Sequence, residues 1–233
     1  VVGGGYTGVE AATHLRRYAQ RSGKELEIIL AEIHPTILAM RPVWMQEYME
    51  KQLQELDIEV RTEATVESVS GGVRLTTGEE VTDAIVLWNA GVHASSPLSG
   101  GPVELDKKGR IVVDEALRAA QGCYVAGDAA RFARSDSDEP LFMSSYFAEQ
   151  EGIRVAKNLI REVAGSKPER YRPLDYGFVI PLANGRGCGT ILGRDLRGKI
   201  PILIHHGAGW KRARSPETRW SRLKAVLKEG TGI

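Results

Sequence analysis

The 233-residue chain predicts an α/β fold built on a Rossmann-like dinucleotide-binding unit. Three observations carry that expectation. A glycine-rich turn, Gly3-Gly4-Gly5-Tyr6-Thr7-Gly8, sits between the apolar pair Val1-Val2 and a helical pattern. The apolar run Leu26 to Ala31 then ends on an acid, Glu32. Far downstream, Cys123 to Ala126 runs into a second glycine turn, Gly127-Asp128.

The first turn has the form G-x-G-x-x-G. Gly3 makes the turn, Gly5 lets backbone approach a pyrophosphate, and Gly8 lets helix and strand pack closely. The free N–H groups of the helix start then face the phosphates. Only Val1 and Val2 precede Gly3, fewer than the roughly five residues of a usual strand. The chain is therefore expected to open part-way through a larger fold, with a segment missing ahead of it.

The elements follow in order. Val9, Ala12, Leu15 and Tyr18 recur at helical spacing, which predicts a helix over 8–21 ended by Gly23. Leu26 to Ala31 is a strand, completing a β-α-β unit. Met45, Met49, Leu53 and Leu56 predict a second helix over 43–56, behind Pro42. Val66 to Ser70 and Val73 to Thr76, joined at Gly71-Gly72, read as a hairpin. Val81 and the run Ala84 to Trp88 lead into another glycine turn, Asn89-Ala90-Gly91. Residues 95–102 are rich in Ser, Pro and Gly and mark a domain crossing. A strand at 111–113 and a helix over 147–163, stopped by Gly165 and Pro168, follow. Residues 174–206 mix apolar runs with glycines and predict small strands and turns. The expected domains are 1–94, 95–168 and 169–233, the last a small α+β region.

Composition narrows the function classes. A formal net charge of +1 gives no bulk argument for a nucleic-acid partner. The two cysteines, Cys123 and Cys188, form no C-x-x-C motif, so neither a disulfide framework nor a zinc site is expected. A reducing, cytosolic setting follows from that usage. No apolar run approaches the roughly 18 residues of a spanning helix.

Glu32 lies at the end of the second strand, where a carboxylate accepts hydrogen bonds from both ribose hydroxyls of an adenosine and repels a 2′-phosphate. NADH is thus expected over NADPH, with nearby His34 tempering the preference; the plainer alternative is a solvated strand end. Asp128 taken alone is better explained by turn capping. Glu10 complements the dipole of the first helical turn, yet sits close to an anionic pyrophosphate.

The joint spacing of Gly3 to Glu10, LWNAGVHAS (87–95) and GRIVVDEALRAAQGCYVAGDAA (109–130) resembles flavoproteins with two dinucleotide-binding domains, and most of all type II NADH dehydrogenases, the single-chain NADH:quinone oxidoreductases. The resemblance covers residues 1–165 well and the tail loosely. It implies that Gly3, Gly4, Gly5, Tyr6, Thr7, Gly8 and Glu32 bind NAD(H) in an inserted domain. Residues 95–168 are then the returning part of an FAD-binding domain, with Gly127 and Asp128 closing on FAD and Ala90-Gly91 where the nicotinamide passes over the flavin. Glu10 is implied beside the nicotinamide and flavin rings, in substrate placement and proton supply. Residues 144–152 fall where the family carries Ala-Gln-x-Ala-x-Gln-Gln-Gly beneath the flavin. Ala148, Gln150 and Gly152 match, so Gln150 joins Glu10 as a candidate catalytic position. Ser145-Tyr146 replace the Ala-Gln pair, which leaves backbone N–H groups to hold the flavin and puts quinone specificity in doubt.

The implied reaction is a hydride from NADH to flavin, then two electrons to a quinone. Alternatives are a soluble reductase acting on a disulfide or small redox protein, a sulfide:quinone oxidoreductase with Cys188 as one of its thiols, and a non-catalytic NAD-sensing flavoprotein. A structural thiol is the simpler account of Cys188, and Cys123 reads as core. The tail carries Trp210, Trp220 and many basic residues over 210–228, with Ser215-Pro216-Glu217 as a helix start. It suits the inner face of a cell membrane as an interfacial segment, or packing on its own domain or a dimer partner. His205 and His206 precede it, near where the resemblance loosely places the quinone mouth.

Overall fold

The strand ahead of the glycine turn is short but fully paired. Val2 bridges Ala31 on one side and Trp88 on the other, both parallel. Val2 N–H donates to Leu87 O at 2.9 Å, and Asn89 N–H donates to Val2 O at 2.8 Å. Beyond Ala31, β1 (Ile29–Ala31) pairs in parallel with β2 (Glu59–Arg61). The spatial order is therefore 88, 2, 29–31, 59–61, with the first strand inside the sheet, as β-α-β units require. A computed structural model of the chain describes residues 1–70, 72–94, 103–133, 139–212, 215, 217–218, 220–221 and 224. The chain divides into two units, Val1–Gly91 with Tyr176–Ile233, and Val92–Asp175.

In the first unit, α1 (Tyr6–Ser22) starts from Gly5 and ends on Gly23 at φ 62°, the left-handed stop that glycine favours. It begins two residues earlier than the periodicity alone predicts. Glu10 is thus its fifth residue, beyond the first turn where the sequence reading put it. The helix starts at Tyr6 because Gly5 is the last extended residue of the turn. The second helix, α2 (Val43–Glu55), buries Met45, Met49, Gln52 and Leu53. The predicted hairpin is β3 (Val66–Val69) against β4 (Val73–Leu75), extended by β5 (Glu80–Val81); Gly71 of its turn and the expected linker over 95–102 lie outside the described residues.

The C-terminal region begins differently from the sequence expectation of a boundary at 168/169. Gly177–Pro181, Gly187–Ile191 and Arg194–Gly198 form an antiparallel meander, in the same unit as α1 and α2. Ile180, Leu182 and Cys188 join Val9, Met45, Met49 and Leu53 in one core. Polar ties reinforce it. Ala183 N–H donates to the buried Thr13 Oγ1 at 3.1 Å, and Gly198 N–H donates to Tyr48 Oη at 3.2 Å. The Arg41 guanidinium lies 4.0 Å over the Phe178 ring, and Arg197 lies 4.8 Å over Trp44. A helix over Lys199–Arg212 follows the meander, where the sequence had suggested turns. Pro201, Gly207 and Gly209 read as breakers, yet Pro201 falls in the first turn, where its missing N–H costs nothing.

In the second unit, Ile111–Val112 pairs in parallel with Ala130–Arg131, and Arg118–Ala120 pairs antiparallel with Cys123–Tyr124. Gly127–Ala129 is a single 3₁₀ turn. The long helix α3 (Ser145–Val163) is capped by Ser144, whose Oγ accepts from Phe147 N–H at 3.2 Å. Its buried Asn158 donates to Ala116 O and Glu169 O and accepts from Glu169 N–H, at 2.9–3.0 Å. That amide ties the helix to the segment leading to Tyr171, which packs with Leu117 and Phe132.

Candidate functional site

The glycines of the first turn are required for different reasons. Gly3 has φ 101°, and a Cβ there would lie 2.6 Å from Asn89 O. At Gly8 a Cβ would lie 1.8 Å from Gly3 O, so the helix closes on the turn only without a side chain. Gly4 is equally crowded, 2.9 Å from both Glu32 Cβ and Ile37 Cγ2. Gly5 is unlike the others. Its φ is −73°, open to any residue, and no protein atom lies within 4 Å of a Cβ built there. Neither strain nor packing explains this glycine. It keeps space clear in front of the α1 N-terminus, where N–H groups and the helix dipole favour an anion.

Glu32 is not a solvated strand end. It is 7% exposed. Its Oε2 accepts from Gly4 N–H at 2.5 Å and its Oε1 from His34 N–H at 2.9 Å. Each oxygen keeps a further lone pair as an acceptor. The carboxylate therefore braces the turn and defines the floor of the site. Leu38, held at φ 52°, donates its N–H to Gly4 O at 2.9 Å. Sequence reasoning missed Leu38 and the crowding at Gly4, since both depend on how residues 32–38 fold back over the turn.

Glu10 lies one helical turn beyond Tyr6, with His14 a turn further. His14 Nε2 is 4.0 Å from Glu10 Oε1. Burial holds the Tyr6 phenol above its ordinary pKa, and the Glu10 carboxylate that it hydrogen-bonds adds to the shift. Thr7 is exposed at the open end of the turn, and Ala90 and Gly91, the latter at φ 92°, are exposed beyond the strand that pairs with Val2.

In the second unit, Gly127 has φ 70°, and a Cβ there would lie 3.3 Å from Ala148 Cβ. Asp128 is exposed on the turn. The Gln150 amide is engaged with one backbone unit: Nε2 donates to Leu174 O at 3.1 Å and Oε1 accepts from Leu174 N–H at 3.0 Å. Ser145 is exposed at the α3 start, and the Tyr146 ring is 5.8 Å from Phe147. The residue that sequence reasoning missed is Glu151. It is 3% exposed, and its Oε2 accepts from Gly127 N–H at 2.6 Å. Burial first, then the charge of Asp128, pushes its carboxyl up to about 7. Its signal in the sequence was an acid inside an amphipathic helix.

Cys188 is fully buried, and burial pushes its thiol up to about 12; the thiol stays protonated and serves the core. Cys123 is half-buried in its strand. Among the described residues no group of His, Cys, Asp and Glu is arranged to hold a metal, and no helix is long and apolar enough to cross a membrane.

Comparison with known proteins shows the family of the chain. The sequence profile of the pyridine nucleotide-disulphide oxidoreductases matches residues 1–159. The chain is 34% identical over 176 residues to an NADH dehydrogenase-like protein of Mycobacterium tuberculosis, covering 70% of the chain and 42% of that protein. It is 27% identical over 218 residues to the type II NADH:quinone oxidoreductase of Staphylococcus epidermidis, covering 88% and 54%. The structure of NDH2 from Plasmodium falciparum in complex with NADH superimposes with a TM-score of 0.79 at 14% identity, covering 100% of the chain and 66% of that protein. The chain spans about half the length of the sequence relatives it matches. The resemblance carried by the motifs is thus met by independent similarity, and a profile match over most of its length shows that the chain belongs to the pyridine nucleotide-disulphide oxidoreductase family.

Proposed function

We propose that this chain belongs to an FAD-dependent enzyme that oxidises NADH and reduces a quinone. The observation that supports it most is the first turn: three glycines demanded by packing or φ, a fourth that keeps the α1 N-terminus open, and a buried acid beneath. Residues 1–94 are the NAD(H)-binding part. The open N–H groups from Gly5 to Gly8 bind the pyrophosphate. Glu32 accepts from the ribose hydroxyls and disfavours the 2′-phosphate of NADPH.

In the second unit, residues 95–168 supply part of the FAD site. Gly127, the N–H groups at the α3 start and exposed Asp128 suit the polar parts of that cofactor: a close backbone approach, donors at Ser145 and Tyr146, and an acceptor. When bound, the flavin supplies two-electron chemistry between nicotinamide and quinone. The chain's own residues orient and set charge. Glu10 acts beside the dinucleotide, held by the Tyr6 phenol and within 4.0 Å of His14 Nε2. Gln150 holds the Leu174 backbone as a positioning residue.

The third region, 169–233, carries the membrane-surface proposal. Ile200, Leu203 and Trp210 are exposed on the helix over Lys199–Arg212, at spacings that share one face. Ser215 Oγ accepts from Thr218 N–H at 3.2 Å, the geometry of a helix cap. Arg214, Pro216, Arg219, Arg222, Leu223 and residues 225–228 of the basic tail lie outside the described residues. A surface helix of this kind suits a lipid-soluble acceptor; a contact with a second copy is the competing use of the same face.

The test is steady-state NADH oxidation by the complete, FAD-loaded protein. Turnover with a soluble quinone analogue is expected, with NADH preferred over NADPH. Turnover with a disulfide or small redox protein, and none with any quinone, rejects the quinone assignment. No turnover with any acceptor leaves NAD sensing as the better account.

A further inference from the structure

Beneath the Gly127–Asp128 turn lies a buried acid for which the proposed hydride chemistry has no use. Glu151 is the seventh residue of α3 and faces inward, 3% exposed. Its Oε2 takes the Gly127 N–H at 2.6 Å. The turn it holds sits directly on the helix, since a Cβ at Gly127 would already be 3.3 Å from Ala148 Cβ. Tyr171, in the segment after α3, has a buried hydroxyl with no hydrogen-bond partner among the described residues, and its phenol is raised by burial first, then by the Glu151 charge and by Tyr146. The titratable groups that act on this pocket are thus Asp128 from the turn, Tyr171 from the segment after α3, and Tyr146 from the helix start, which reaches it through Tyr171. Among the described residues, these three groups are neutral or anionic.

We propose that Glu151 is a positioning residue that fixes the Gly127–Asp128 turn from below and that its protonation sets how tightly this turn holds an anionic dinucleotide cofactor. The inference rests on the flavin reading of the second unit. The geometry has one consequence in each charge state. Protonated, Glu151 still accepts from Gly127 N–H through a carbonyl oxygen and leaves the ground beneath the turn neutral. Ionised, it takes the same N–H but sets a second negative charge beside Asp128. A cofactor carrying a pyrophosphate then meets two like charges where it met one. Because burial and Asp128 push the Glu151 carboxyl up to about 7, the change falls near neutral pH. The proton taken up is the only species exchanged, and no redox step is involved.

The experiment uses the complete protein and two variants, Glu151→Gln and Glu151→Ala. Gln keeps an acceptor for Gly127 N–H and cannot ionise; Ala removes the acceptor. FAD dissociation constants are measured by flavin fluorescence between about pH 5.5 and about pH 8.5, a span that brackets the titration. Infrared spectra record the protonated-carboxyl C=O band over the same range. In the wild type, FAD binding is expected to weaken about five- to tenfold as pH rises through neutrality, while that band disappears. Gln is expected to bind FAD tightly and without that pH dependence and to lack the band. Ala is expected to lose flavin at every pH while keeping wild-type far-UV circular dichroism. Superimposable pH profiles for wild type and Gln, both holding FAD, overturn this proposal alone. A wild type that binds no flavin at any pH overturns the flavin reading and the proposal with it.

Discussion

Gly4 donates its N–H to Glu32 Oε2 at 2.5 Å across 28 residues of sequence. The carboxylate that ends the second strand therefore holds the glycine turn that ends the first. The other unit repeats the arrangement with different parts, Gly127 N–H to Glu151 Oε2 at 2.6 Å. In both, a glycine supplies the backbone geometry and a buried acid takes up an N–H that would otherwise be left unpaired. The two acids differ in what surrounds them. Glu32 has a second N–H donor, from His34. Glu151 has Asp128 as its charged neighbour, and burial first, then that charge, pushes its carboxyl up to about 7.

Glycine replacement separates packing from ligand clearance. Gly8→Ala places a methyl 1.8 Å from Gly3 O, with backbone that cannot yield cheaply. A loss of about 2–4 kcal/mol of stability is expected. Gly5→Ala meets open space and costs the fold at most about 1 kcal/mol as a poorer cap. Its effect falls on NADH, with the dissociation constant rising at least about tenfold. Thermal unfolding and NADH titration of both variants check this; an unchanged NADH affinity in Gly5→Ala rejects the clearance role.

Glu32→Gln tests the brace and the coenzyme preference together. Gln offers one acceptor where two N–H donors converge, from Gly4 and His34, so one donor is left facing an amide NH₂. A loss of about 1–3 kcal/mol is expected. Without the charge, the ratio of kcat/KM for NADH over NADPH falls. Measuring that ratio for wild type and variant decides the second point; an unaltered ratio removes Glu32 from coenzyme selection.

Stability has a pH signature. Burial first, then the charge of Asp128, raises the Glu151 carboxyl in the native state to about 7, from the roughly 4.3 of an unfolded glutamate. Below the unfolded value both states hold the proton, and the contribution is fully present. Between the two values the native state alone holds it, so stability falls as pH rises, until the native carboxyl also ionises. Chemical denaturation at a series of pH values is expected to show this decline, and Glu151→Gln to flatten it and gain about 2 kcal/mol over wild type at pH 8. Parallel curves for the two proteins contradict the assignment.

Asn158→Ala tests how α3 is held. The amide serves Ala116 O, Glu169 O and Glu169 N–H from a fully buried position. Its loss strands three backbone groups at once, and about 2–4 kcal/mol is expected. Hydrogen exchange in 115–117 and 169–171 is expected to rise before that in α1 and α2; uniform protection in the variant argues against it.

The surface helix gives a binding prediction. Leu203→Ser with Trp210→Ala removes two exposed apolar groups from one face. Sedimentation with anionic vesicles is expected to fall about tenfold, with NADH affinity unchanged. Equal sedimentation, or a shift in oligomeric state instead, favours a contact between copies.

Much of the first site was legible in the chain. Glycine has few functions in a buried turn, so Gly3, Gly5 and Gly8 carry their geometry in their spacing. Helical and alternating periods fixed α1, α2, the hairpin and most of α3, because burial on one face imposes those periods. Legibility failed where a residue's meaning depends on a distant partner. Gly4 reads as a filler position until Ile37 and Glu32 are seen against it. Helix Lys199–Arg212 was hidden because Pro201 and two glycines are scored by local rules that the first turn relaxes and tertiary packing overrides.

By itself, the sequence determined that a nucleotide-type turn opens the chain, that an acid follows it at the end of the next strand, and that a second such turn comes later. These depend on local backbone rules, which act over a few residues. Only the tertiary structure decided which acid braces which turn, that the last three strands complete the core of α1 and α2, and that Glu151 rather than its helix neighbour Gln150 meets Gly127. Those outcomes depend on burial and on the cost of leaving an N–H or a charge without a partner, and both are set by which residues the folded chain places side by side.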